Sequence, residues 1–142
     1  MLFNVAIIAG GMVKAFLSSL KQDSAKVKAL AENEARKLAA SIEIIGQLLL
    51  AGEIDQPEAE ALIDVQKNAT ETVFASLEGV GRAAARHATR AGLTSIVGAV
   101  DSAIGMPLVG AVIGLVAAPP SQPASTALNQ LDGSEQAPMT PA

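Results

Sequence analysis

The chain has 142 residues, a formal charge of −4 and no Cys, Trp or Tyr; half of it is hydrophobic and 2% aromatic. Disulfides and cysteine-ligated zinc are therefore excluded, and a single histidine excludes a multi-histidine metal site. Three phenylalanines make no base-stacking platform for single-stranded nucleic acid, and so few aromatics argue against an all-β core.

The length allows one domain, or two small ones. A mean hydropathy of +0.38 with only 17% charged residues is high for a small soluble domain and points to lipid or to an obligate assembly. Charge is uneven along the chain. Residues 1–40 carry six basic and three acidic groups, 41–80 one and eight, 81–100 three and none, and 101–142 none and three. Two basic blocks thus enclose an acidic one, an asymmetry that bears on partners more than the total does.

The first element is an uncharged run, residues 1–13, which continues past Lys14 to Leu20. No Lys or Arg precedes it, so it lacks the basic start of a cleaved signal. It reads as an apolar or amphipathic helix over 1–20. Such a helix would lie at a bilayer surface, or span from Leu2 to Leu20 with Lys14 toward its end.

Residues 22–90 read as a charged helical hairpin. From Gln22 to Ala51 there is no proline and one glycine. Val27, Ala31, Ala35, Leu38, Ile42, Ile45 and Leu49 recur every three or four residues and mark a helix face, with Lys28, Glu32, Arg36, Lys37 and Glu43 mostly elsewhere. Gly52 offers a left-handed stop. Asp55, Pro57 and Glu58 form a capping-box start with Asp as the cap. A second helix is then expected over 56–90, its apolar face made by Leu62, Val65, Ala69, Val73, Leu77, Val80 and Ala84. Two such helices have little core of their own, so their stripes must face other copies or a bilayer.

Residues 91–118 carry one charge, Asp101. The uncharged stretch 102–118 is near the shortest that crosses a hydrocarbon core of about 30 Å, so a transmembrane or membrane-inserted segment is expected there. Gly105 and Pro107 can kink it. Gly110 and Gly114 form a small-xxx-small pair suited to helix–helix packing in lipid, although a glycine-containing core helix reads the same way. Asp101 is either a costly carboxylate in lipid or part of a break between shorter helices, and the break is favoured. Arg82, Arg86 and Arg90, spaced by four with His87 among them, share a helix face directly before this segment. They are candidates for membrane-headgroup or phosphate contact, with a merely solvated face as the plain alternative and a sequence-independent DNA-backbone contact also open.

Residues 119–142 contain five of the seven prolines and few large apolar side chains, which reads as a flexible tail. Nucleotide-binding glycine loops and the common hydrolase and zinc-protease motifs are absent. The acidic group Glu53, Asp55, Glu58, Glu60 and Asp64 lacks the spacing of a calcium loop and reads as helix capping and a wet surface. No cofactor, metal or small-molecule substrate is expected, and the chain reads as a non-enzyme.

The stretch 51–81, with its GEI turn, acidic helix start, QKNA tetrapeptide and LEGVG step, resembles small integral membrane proteins of tailless icosahedral phages with an internal membrane, the corticovirus-like phages. The resemblance implies a virion protein embedded between capsid, lipid and packaged DNA; it carries no catalytic residues over. The expected fold is all-α: a long antiparallel hairpin between an N-terminal apolar helix and a C-terminal transmembrane segment, with a disordered Pro-rich tail. The expected function is a structural membrane protein that self-associates and scaffolds a membrane, in a virion or in a host inner membrane, with capsid proteins as further partners. The alternatives are a holin-like pore and a soluble surface-coating or helical-bundle assembly protein.

Overall fold

The computed structural model describes residues 1–114. The tail expected over 119–142, and the end of the apolar segment at 115–118, lie outside the described residues. All regular structure among those residues is helical: α1 (Val5–Leu20), α2 (Ala25–Leu50), α3 (Gln56–Ala75), α4 (Arg82–Ile104) and α5 (Val109–Ile113).

Helix α1 starts where the Asn4 side chain accepts the Ile7 N–H at 3.1 Å. It ends at Lys21, whose left-handed backbone returns its N–H to Leu17. Ile8, Met12, Phe16 and Leu20, four residues apart, are buried on one face. That face packs on α2 and α4, so α1 is a core element of the bundle. Gly92 on α4 makes the closest approach: a Cβ there would overlap the Phe16 ring. Phe16 in turn meets Phe74 of α3 edge to face, with centroids 4.9 Å apart and planes at 74°.

Helix α2 is capped by Ser24, whose hydroxyl accepts the Val27 N–H. Its expected apolar face is buried from Val27 to Ile45, with Leu49 half-buried at the end. Gly52 adopts φ 77°, the left-handed turn expected of it. The capping box then forms in full: Asp55 accepts from Glu58 N–H, and Glu58 accepts from Asp55 N–H, both at 2.9 Å. The helical hairpin is therefore present, with α2 and α3 side by side.

Two sequence expectations are corrected here. The helix expected over 56–90 is two helices, parted at Ser76–Gly81. Ser76 caps the end of α3, its hydroxyl donating to the Val73 carbonyl at 2.6 Å, and Gly79 turns the chain with a positive φ. This reversal sets Phe74 against Phe16 and returns α4 along α1. The face expected on α3 is also displaced. Ala59, Ile63, Thr70 and Phe74 are buried, whereas Leu62, Val65 and Ala69 are exposed.

Helix α4 joins the three arginines to the first half of the apolar segment. It buries Ala85, Ala88, Thr89, Gly92, Leu93, Ile96, Val100 and Ile104. The expected continuous segment over 91–118 is cut at Gly105–Leu108, and no helix among the described residues is long and apolar enough to cross a membrane. Its apolar residues are instead spent on packing against α1 and α5. The four long helices form an up-down ring in which α4 closes back on α1, and α5 covers the end of α3 and α4.

Candidate functional site

Arg82, Arg86 and Arg90 lie on the first half of α4, all exposed, as does His87. Their spacing of four stacks the arginines in one row along the helix. The buried face of α4, Ala85, Ala88, Thr89 and Gly92, turns the row outward. Arg82 and Arg86 border a shallow cleft with Asn68, Glu71, Thr72 and Ala75 of α3. Its one carboxylate, Glu71, is paired with Lys67 at 3.5 Å. Arg90 stands near Gly114, where a Cβ would come 3.9 Å from its guanidinium. Among the described residues, none of the three arginines has an ion-pair partner.

The local electrostatics add to this. Gly81 caps α4 without a side-chain hydrogen bond, and no acidic residue occupies its first turn. The first N–H groups of a helix carry its positive partial charge. Arg82 therefore sits at the helix end that disfavours cations, at a cost of some tenths of a kcal/mol, and Arg86 follows one turn behind it. Neither helix stability nor internal pairing accounts for them, and an external anion would satisfy both the guanidinium groups and the helix end.

The other candidate residues have structural positions. Gly110 is buried in α5, and Gly114 is its left-handed C-cap, so the two do not share a helical face. Asp101 lies in the last turn of α4, and the chain breaks just after it. Its carboxylate accepts the Val109 N–H at 2.8 Å and the Gly110 N–H at 3.0 Å, which fixes α5 against α4. Four of the five acidic residues are likewise engaged: Asp55 and Glu58 in the capping box, Glu60 with Gln56, and Asp64 with Lys67 and Asn68; Glu53 is exposed at the hairpin turn. No group of three or more metal-ligating side chains occurs among the described residues.

Sequence reasoning missed two buried carboxylates on α2. Glu43, expected among the solvent-facing charges, is 5% exposed. It accepts the backbone N–H groups of Leu2 at 2.7 Å and Phe3 at 3.2 Å, and the amide of Gln47. Burial raises its pKa, but the hydrogen bonds from Leu2, Gln47 and Phe3 and the positive charge at Met1 outweigh that and hold it below its ordinary value. Glu34 accepts from the buried Thr70 hydroxyl at 3.4 Å and pairs with Lys37 at 3.2 Å. The partners on α2, Gln47 and Lys37, stand at ordinary helical spacings and mark nothing by themselves; the contacts that bury the two carboxylates come from Leu2 and Phe3 before α1 and from Thr70 on α3.

Comparison with family models, curated proteins and solved structures produced no match.

Proposed function

We propose that the protein is a non-catalytic scaffold of a membrane surface, self-associating through its helices and holding anionic phosphate headgroups with Arg82, Arg86 and Arg90. The observation that carries this reading is the arginine row itself. Three guanidinium groups stand in one exposed row without an ion-pair partner among the described residues, and the first of them, Arg82, is kept where the helix dipole disfavours it. Attachment at headgroup depth requires no spanning helix. Crossing by residues 91–118 is not part of the proposal, because Leu93, Ile96 and Val100 would have to leave α1 for lipid. The phage resemblance of residues 51–81 suggests the inner membrane of a virion as the setting.

The test is sedimentation of the full chain with phosphatidylglycerol-containing and pure phosphatidylcholine vesicles at graded salt. Binding is expected to the anionic vesicles only. At about 1 kcal/mol per arginine near the surface, replacing all three by Gln should weaken it on the order of 100-fold at low salt. A triple variant that binds like wild type, or a wild type indifferent to anionic lipid, would overturn the reading. Equal salt-dependent binding to duplex DNA would reassign the row to a nucleic-acid backbone. Expression that collapses the membrane potential would point to a pore instead.

A further inference from the structure

We infer that the outer face of the α2–α3 hairpin is a docking surface for a second copy of this chain, which closes an antiparallel two-fold dimer. This deepens the scaffolding reading by locating the self-association it needs. The face is apolar and exposed: Ile44 at 56%, Leu48 at 37%, Leu62 at 42% and Val65 at 60%. Two contacts fix the hairpin register. Ser41 bonds to Gln66, and Thr70 to Glu34. Ile44 of α2 therefore lies level with Leu62 of α3, with Leu48 one turn to one side of that pair and Val65 one turn to the other. Ile44 points about 200° round the helix from the buried Ile42, and Val65 the same from Ile63, so the four side chains share the side away from the core.

Size and charge favour another copy as the occupant. A face as long as α3, about 30 Å, and two helices wide offers roughly 600 Å² per copy, which reaches the area of a small specific interface. One end of the face is acidic, with Glu53, Asp55 and Glu58 exposed at the hairpin turn; toward its other end stands Lys37, which pairs with the buried Glu34 of its own helix but remains 60% exposed. A parallel two-fold would set acid against acid. The antiparallel two-fold sets each Lys37 against the acidic turn of the other copy, since Lys37 lies about 11 Å and Glu53 about 13 Å from the patch centre, on opposite sides. The same acids repel an anionic bilayer, which separates this face from the arginine row on α4.

The test is sedimentation equilibrium of the full chain, with far-ultraviolet dichroism confirming that each variant is folded. Wild type is expected to dimerise. Ile44→Lys and Val65→Lys should each weaken the dimer by roughly tenfold or more, because each buries a charge at the centre of the interface. Ile7→Lys, at the 70% exposed Ile7 of α1, should leave it intact. Glu53→Lys, at an exposed position outside the helices, should weaken the dimer by setting a second cation against Lys37 of the other copy. A wild type that stays monomeric, or a Val65→Lys variant that dimerises like wild type, would overturn the inference. So would a Val65→Lys variant that leaves vesicles while its dimer persists, since a bilayer would then cover the face. Loss of vesicle binding in the arginine variants with the dimer intact bears on the lipid reading alone and leaves the dimer supported.

Discussion

Gly92→Ala tests whether α1 packs on α4, and the sign of its effect is the readout. In an exposed helix, alanine is favoured over glycine by about 1 kcal/mol. At position 92 the added Cβ would enter the space of three Phe16 ring carbons, Cε1, Cδ1 and Cζ. The ring cannot slide away, because it is fully buried and its neighbour Phe74 meets it edge to face. Overpacking of this kind costs about 1–3 kcal/mol, and overlap with three atoms puts it at the upper end. After the propensity gain, a net loss of about 2 kcal/mol remains. Guanidinium unfolding followed by dichroism should show the midpoint falling. Phe16→Leu should cost about 1 kcal/mol alone but create room for the methyl group, so that Gly92→Ala becomes neutral or stabilising in that background. The coupling is then about 2 kcal/mol. A stabilised Gly92→Ala single variant, or simple additivity, would show that α1 does not lie against α4.

Three further outcomes follow from single contacts. Glu43 has its pKa held below the usual 4.5, so its contribution to stability is complete above that value and is lost as pH falls through the lower folded value. The stability gap between wild type and Glu43→Gln should accordingly be widest near neutral pH and should narrow in acid, and a gap that widens in acid would contradict the assignment. Asp101→Ala frees the N–H groups of Val109 and Gly110, so hydrogen exchange over 105–114 should rise while exchange in α1 and α2 is unchanged, at a cost of about 1 kcal/mol. Asp55→Ala removes half of the capping box and should cost about 1 kcal/mol in thermal or denaturant unfolding, with Asp55→Asn costing clearly less.

The hairpin turn was legible because its signals are local. Gly52 as a stop and Asp55 with Glu58 as a start act within a few residues of themselves, and the α2 stripe from Val27 to Ile45 has one dominant period. The end of α3 was not legible, because Ser76 and Gly79 are weak breakers by composition. What makes the break there is a contact distant in sequence, Phe74 against Phe16. The apolar ends invited a bilayer reading for a related cause. Hydropathy counts how much apolar surface a segment carries, and the Phe16–Gly92 contact decides where that surface goes. The arginine row was legible as a helix face, but its lack of ion pairs among the described residues depends on where α3 places Glu71 and Lys67.

The displaced face of α3 carries the most weight for function. The helix has two apolar stripes in competition. Leu62, Val65, Ala69 and Val73 form the more regular one; Ala59, Ile63 and Phe74 form the other, interrupted by Thr70. Hydrophobicity alone selects the first. The fold selects the second, because Phe74 completes the aromatic contact and Thr70 satisfies the buried Glu34. A helix of a self-sufficient monomer gains nothing from a second apolar stripe, and isolated exposed apolar residues are common. Here Leu62 and Val65 are not isolated: Ile44 and Leu48 continue the same surface on the neighbouring helix. The hairpin thus presents two apolar faces rather than the one expected. The core stripe is covered by α1 and α4, and the outward stripe is the exposed surface on which the proposed dimer rests.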